Sequence, residues 1–222
     1  MPHQVLVLGG RRMRKEELCS RFWDLFGKAG GELRFFFAPA SLNLIGEHTN
    51  YNGGHVVSCA VNFGTWGVVR LRKDRTMRFA SYFDCDTVTE VGLNEKYHPR
   101  SANDWIRFPL AVLEVFREWG CVIPCGFDLM CCRDIPLRRS TFFARSCIVL
   151  VELILREMYH LPYIGEIDLA VLAQKTENLI VGAECGLVNA FASVMGREGC
   201  AILLNADRLH YEYIPMQLGG AS

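Results

Sequence analysis

The 222-residue sequence has no excess of charge of either sign: 24 lysines and arginines stand against 24 aspartates and glutamates. It lacks the basic stripe of a nucleic-acid-binding surface and the like-charge run of a solvated tail. No stretch approaches the roughly 20 apolar residues of a membrane-spanning helix. The apolar run around Val5 to Leu8 is only about five residues long, too short for the core of a secretion signal. Internal repeats, low-complexity tracts and linker-like segments are missing as well. These absences lead to the expectation of a cytoplasmic protein with neither a nucleic-acid nor a membrane partner.

Cysteine is abundant, at ten residues, yet no paired C-x-x-C occurs. Cys121, Cys125, Cys131 and Cys132 lie near one another in the chain, but without a nearby histidine and without the spacing of a zinc site. No metal is therefore expected. Most cysteines fall in apolar patterns, where a free thiol acts as a small hydrophobe in a reducing compartment. Half of the residues are hydrophobic, enough for one large domain or two small ones.

Periodicity divides the chain into alternating strands and helices. A short strand is predicted over 4–8 and an amphipathic helix over 15–26, with Leu18, Phe22, Leu25 and Phe26 on one face. A strand over 33–37 runs into Pro39. Further strands are expected over 56–61 and 64–72, the latter forming a hairpin with 76–83 through Lys73, Asp74 and Arg75. An edge strand follows over 87–93. A helix over 103–119, N-capped by Asn103, should be kinked or delayed by Pro109. A strand over 126–132 precedes a long, largely apolar helix over 141–160. Helices over 167–181 and 184–195 and a hairpin of 199–205 with 209–214 close the chain. The mixture with antiparallel signals is an α+β pattern.

Two stretches carry chemistry on their own terms. Between Ala38 and Gly54, Glu47, His48, Asn50, Tyr51 and Asn52 gather a carboxylate, an imidazole, amides and a phenol in a loop bounded by glycines. Such a set presents donors and acceptors together, as a polyhydroxylated ligand requires. The same residues also suit an ordinary surface turn. Between Ile135 and Ser146, Arg138, Arg139 and Arg145 either attract an anion or pair with surface acids.

The run from Ala38 to Gly54 resembles the signature of galactokinases, members of the GHMP superfamily of small-molecule kinases. Ala38, Pro39, Asn43 to Thr49 and Tyr51 to Gly54 match it. Ala40, Ser41 and Asn50 stand where the signature has Gly, Arg and Asp. A second similarity runs from Gln174 to Ser193, where Glu177, Asn178, Val181, Gly182, Cys185, Gly186, Phe191 and Ala192 match. There Asn189 takes the place of the family's catalytic Asp, and Ala190 that of the following Gln. The resemblance implies a GHMP-kinase N-terminal domain (ribosomal protein S5 domain 2-like), with a mixed, mostly antiparallel sheet packed with helices.

It further implies a sugar set of Glu47, His48, Asn50, Tyr51 and Gly186 for galactose or a related hexose. Ser41 and Asn189 occupy the catalytic positions. The family's Mg-ATP phosphate loop falls on Arg138, Arg139, Ser140, Thr141 and Ser146. There Arg138 and Ser140 replace glycines that let backbone N–H groups close on phosphate, and Phe142, Phe143 and Ala144 replace a serine run. A degenerate nucleotide site is expected, and a sugar-binding domain with little or no kinase activity. The alternatives are a residual sugar kinase that uses rearranged phosphate ligands, and a non-catalytic interaction or regulatory remnant. Residues 1–30 are expected to form an N-terminal extension and helix, and 31–218 the galactokinase-like domain, without the family's C-terminal domain. A protein partner or self-association would then complete the missing half.

Overall fold

The computed structural model describes residues 6–8, 11–13, 15–46, 54–82, 87–95, 104–133, 141–182 and 185–216. The elements follow in the order β1 (Leu6–Leu8), β2 (Arg11–Met13), α1 (Lys15–Phe26), β3 (Arg34–Ile45), β4 (His55–Leu71), β5 (Thr76–Ser81) and β6 (Thr89–Gly92), then α2 (Arg107–Glu118), β7 (Phe127–Arg133), α3 (Thr141–Met158), α4 (Glu166–Val181), α5 (Val188–Met195), β8 (Cys200–Asn205) and β9 (His210–Pro215). β1 and β2 pair with each other; the rest form a seven-stranded sheet ordered β6-β5-β7-β4-β8-β9, with β3 along β4. Among the described strand pairs of this sheet only β5 and β7 run parallel, and every other pair is antiparallel.

Period-two alternation gives this sheet two buried faces. On one, Val68, Ala80, Met130 and Cys132 receive Leu18, Phe22 and Phe26 of α1. On the other, Val69, Phe79, Leu129 and Cys131 join the main core with α2, α3 and α4. Full burial of each Leu or Phe contributes about 1.5–3 kcal/mol relative to exposure. A third cluster joins Val188, Phe191 and Met195 of α5 to Val56, Ile202 and Leu204 of β4 and β8.

The strand expected to stop before Pro39 continues to Ile45. Among the described strands β3 is hydrogen-bonded to β4 alone, so the missing N–H of Pro39 is tolerated, and the register shifts between Pro39 and Ser41. Gly64 lies opposite Pro39, and a Cβ there would sit 2.1 Å from the Ala38 carbonyl oxygen. Gly64→Ala is therefore expected to cost on the order of 1–3 kcal/mol by urea unfolding. An unchanged midpoint would contradict so close a crossing. The separate strands expected over 56–61 and 64–72 are one 17-residue strand, β4.

The hairpin expected between β4 and β5 does not form, because β7 lies between them. Asp128 of β7 explains the insertion. It sits directly across from Arg70 of β4 on one side and Arg78 of β5 on the other. Its carboxylate accepts from Arg70 Nη2 at 2.6 Å, Arg78 Nε at 2.7 Å and Arg72 Nη1 at 3.1 Å. Arg70 and Arg78 also donate to the Phe26 carbonyl, and Arg70 to that of Gly27, so the same cluster caps the C-terminus of α1.

Pro109 falls in the first turn of α2, which begins at Arg107 rather than at Asn103, so its missing N–H removes no helix bond. Asn103 lies outside the described residues. The last helix starts at Val188, later than expected. The nine described cysteines are free, and Cys59, Cys121, Cys131, Cys132 and Cys147 are buried. Among the described residues no helix is long and apolar enough to cross a membrane, and no group of three or more His, Cys, Asp or Glu could hold a metal ion.

Candidate functional site

α5 is short and buried on most of its surface. Phe191 packs into the third cluster and edge-on against Tyr211, with ring centroids 5.2 Å apart. Tyr213 donates its hydroxyl to the Met195 carbonyl at 2.8 Å and so holds the helix C-terminus. Asn189 and Ser193, four residues apart, then share the face turned to β3. Ser193 Oγ donates to the Pro39 carbonyl at 2.5 Å, and Ser41 Oγ donates to Asn189 Oδ1 at 3.4 Å. Ser41 is buried and Asn189 half-buried. The two positions that the resemblance pairs in catalysis are thus neighbours in space.

Both groups are neutral. An amide oxygen accepts a hydrogen bond but takes up no proton near neutral pH, and a serine hydroxyl carries no charge. The pair can orient a hydroxylated ligand. It cannot supply the general base or the fixed positive charge that phosphoryl transfer uses.

The chain enters α5 through Cys185, Gly186 and Leu187. Gln174 Nε2 donates to the Cys185 carbonyl at 2.7 Å, and Asn178 Oδ1 accepts from the Cys185 N–H at 2.6 Å. Beside this junction Arg145 of α3 pairs with Glu177 of α4 at 2.9 Å. Burial raises the Cys185 thiol above its ordinary value, Glu177 adds to that rise and Arg145 opposes it. Arg145 is therefore engaged with an acid, the second of the two roles open to it in the sequence. Gly186 is exposed, and its N–H donates to no described residue.

Ser146 lies deeper, fully buried on α3. Its Oγ is 2.6 Å from Thr65 Oγ1 and donates to the Phe143 carbonyl at 3.3 Å. Of the residues that the resemblance assigns to Mg-ATP, this is the one whose side chain is described. Its hydroxyl is enclosed and ties α3 to β4. Thr141 opens α3. Arg138, Arg139 and Ser140 lie outside the described residues, as do Glu47, His48, Asn50 and Tyr51. The segment 47–53 joins β3 to β4, whose last paired residues are Ile45 and Val57.

Sequence reasoning missed Gln174, Asn178, Ser193 and Thr65 as parts of the site. The first three lie within a stretch it did single out. The signal was there in the four-residue spacing of Gln174 with Asn178 and of Asn189 with Ser193, which places each pair on one helix face.

A family profile described as the galactokinase galactose-binding signature matches residues 20–71. The galactokinase of Bacillus subtilis (strain 168) is 37% identical over 207 residues, 93% of this chain and 52% of that protein. The chain spans about half the length of the curated relatives it matches. A crystal structure of Lactococcus lactis galactokinase complexed with galactose superimposes with a TM-score of 0.84 at 33% identity, covering 91% of this chain and 52% of that one. The Methanococcus jannaschii mevalonate kinase shares the fold, with a TM-score of 0.65 at 15% identity over 84% of this chain and 56% of its own.

Proposed function

We propose that this chain, a galactokinase-like N-terminal domain of the GHMP kinase superfamily, binds galactose and has little or no kinase turnover of its own. The family reaction is the ATP-dependent phosphorylation of galactose. The observation that carries the reading is the hydrogen bond from Ser41 to Asn189, a neutral pair at the positions of the family's Arg and Asp. Loss of a general base costs about 10²–10⁴-fold and loss of a charge-stabilising group about 10²–10³-fold. The two act as a unit, so the losses do not multiply. The enclosed hydroxyl of Ser146 adds a separate weakness on the nucleotide side.

The sugar set would be Glu47, His48, Asn50 and Tyr51 with the N–H of Gly186, and the galactokinase-like domain would span 31–218. Isothermal titration of the chain with galactose, without nucleotide, is expected to give saturable binding. A coupled assay with Mg-ATP and galactose is expected to give turnover at least about 10²-fold below that of the Bacillus subtilis galactokinase. Turnover matching that enzyme would overturn the inactive reading, and no heat at high millimolar galactose would overturn the sugar reading.

A second reading, docking of another protein surface, is favoured by the end of β3. Leu42, Leu44 and Ile45 are 45%, 47% and 69% exposed. Leu42 and Leu44 line a groove of about 640 Å³ with Ala60, Val61 and Met216. Concentration-dependent association in sedimentation velocity, abolished by Leu44→Lys, would support a second copy as the cover.

A further inference from the structure

We propose that Gln174 and Asn178 are positioning residues for the sugar site, a pair of amides that together hold the Cys185 backbone and so aim the Gly186 N–H and the first turn of α5. The proposal rests on the galactose-binding reading for its ligand, but its geometry stands apart from that reading.

The two residues are four apart on α4, so their side chains lie one above the other on a single face. An amide side chain offers either a donor or an acceptor. Here the pair uses one of each: Gln174 gives an N–H to the Cys185 carbonyl, and Asn178 gives an oxygen to the Cys185 N–H. Both backbone groups of one residue are thereby fixed by side chains of one helix.

The consequence reaches the next residue. The Cys185 carbonyl and the Gly186 N–H belong to the same planar trans peptide, in which C=O and N–H point in opposite directions. Holding the carbonyl toward α4 turns the Gly186 N–H away from it. That donor is exposed and meets no described acceptor. Three residues on, Asn189 faces Ser41.

Asn178 also anchors the end of its own helix. Its backbone carbonyl accepts from the Gly182 N–H at 2.8 Å, and Gly182 takes the left-handed conformation, φ 71°, that ends α4. One residue therefore holds both Gly182 and Cys185. The Arg145–Glu177 ion pair braces the same junction from α3.

The test exploits the polarity of the two bonds. Asn178→Asp keeps the acceptor, whereas Asn178→Leu removes it. Gln174→Glu keeps the shape but sets a carboxylate against a carbonyl, and Gln174→Leu removes the donor. Galactose affinity is measured by calorimetry, thermal midpoints are followed in parallel, and amide hydrogen exchange is read at Cys185 by NMR. The expected result is affinity within about threefold of the parent for Asn178→Asp, and at least about tenfold weaker binding for both Leu variants and Gln174→Glu.

Lower midpoints with parental affinity in the Leu variants would overturn the proposal, since that pattern marks a purely structural role. Equal weakening by Asn178→Asp and Asn178→Leu would overturn it too. If a Leu variant fails to fold, the contrast between Gln174→Glu and Asn178→Asp decides. If the parent binds no galactose, the sugar reading fails and exchange alone decides. The Cys185 amide should then exchange at least about tenfold faster in Asn178→Leu but not in Asn178→Asp, and unchanged exchange in both would overturn the clamp.

Discussion

Asp128→Asn is expected to destabilise the fold by about 3–5 kcal/mol, the usual cost of removing one partner from a buried ion pair. The side chains of Arg70 and Asp128 are 3% and 1% exposed, so water cannot replace the lost carboxylate. Arg70, Arg72 and Arg78 would be left around a neutral amide that offers one acceptor oxygen in place of two. The same change loosens the C-terminus of α1, because Arg70 and Arg78 would no longer be held against the Phe26 carbonyl. Urea unfolding followed by circular dichroism measures the loss. A cost below about 1 kcal/mol, as for a surface pair, would contradict the clamp.

The pH dependence has a definite sign. Burial alone would raise the Asp128 carboxyl, but hydrogen bonds from Arg78, Arg70 and Arg72 outweigh it and hold the group below the usual carboxylate range. A depressed carboxyl stabilises the fold above its ordinary value of 3.8, and that stability disappears as pH falls through the folded value. The parent should therefore lose stability in acid. Asp128→Asn should lose less, keeping the share of exposed Asp74, which its bond to Arg72 lowers to about 2.

Glu152→Met is expected to act in the opposite direction. Glu152 is fully buried in the middle of α3, and neither of its carboxyl oxygens has a hydrogen-bond partner among the described residues. Leaving such a group unsatisfied costs about 1–3 kcal/mol, so an apolar side chain of similar size should stabilise the protein by about that amount at pH 7. Burial pushes the carboxyl well above its ordinary 4.5.

For a carboxyl raised in this way, the folded state binds the proton more tightly than the unfolded chain. Stability then falls as pH rises from 4.5 toward the folded value, by up to about 1.4 kcal/mol per pH unit. The variant should lack that slope above pH 4.5. A variant less stable than the parent at pH 7 would show that the carboxyl is held by a partner.

The helices were legible because their signal is local. Leu18, Phe22 and Phe26 mark α1 by their spacing, and the apolar run from Cys147 to Leu155 marks α3 as central. Pro39 misled because a proline reads as a break unless the strand is known to pair on one side only. The β4–β5 turn misled for a related reason. A three-residue turn predicts a hairpin, and nothing local announces that β7, some fifty residues further on, will enter between the two strands. Of the candidate site, the positions of Ser41 and Asn189 came from a likeness in sequence. Their contact across 148 residues, and the clamp of Gln174 and Asn178 on Cys185, came from the fold.

By itself the sequence determined most element types, the α+β class, the galactokinase-like motifs and the neutral side chains of Ser41 and Asn189. These follow from periodicity and side-chain chemistry, which need no knowledge of neighbours. Only the tertiary structure decided the strand order, the sharing of Asp128 by three arginines, the enclosure of Ser146 and the burial of Glu152 without a partner among the described residues. Each depends on which distant residues end up side by side. That is set by long-range packing of the two sheet faces, where burial, charge pairing and hydrogen-bond geometry must be satisfied together.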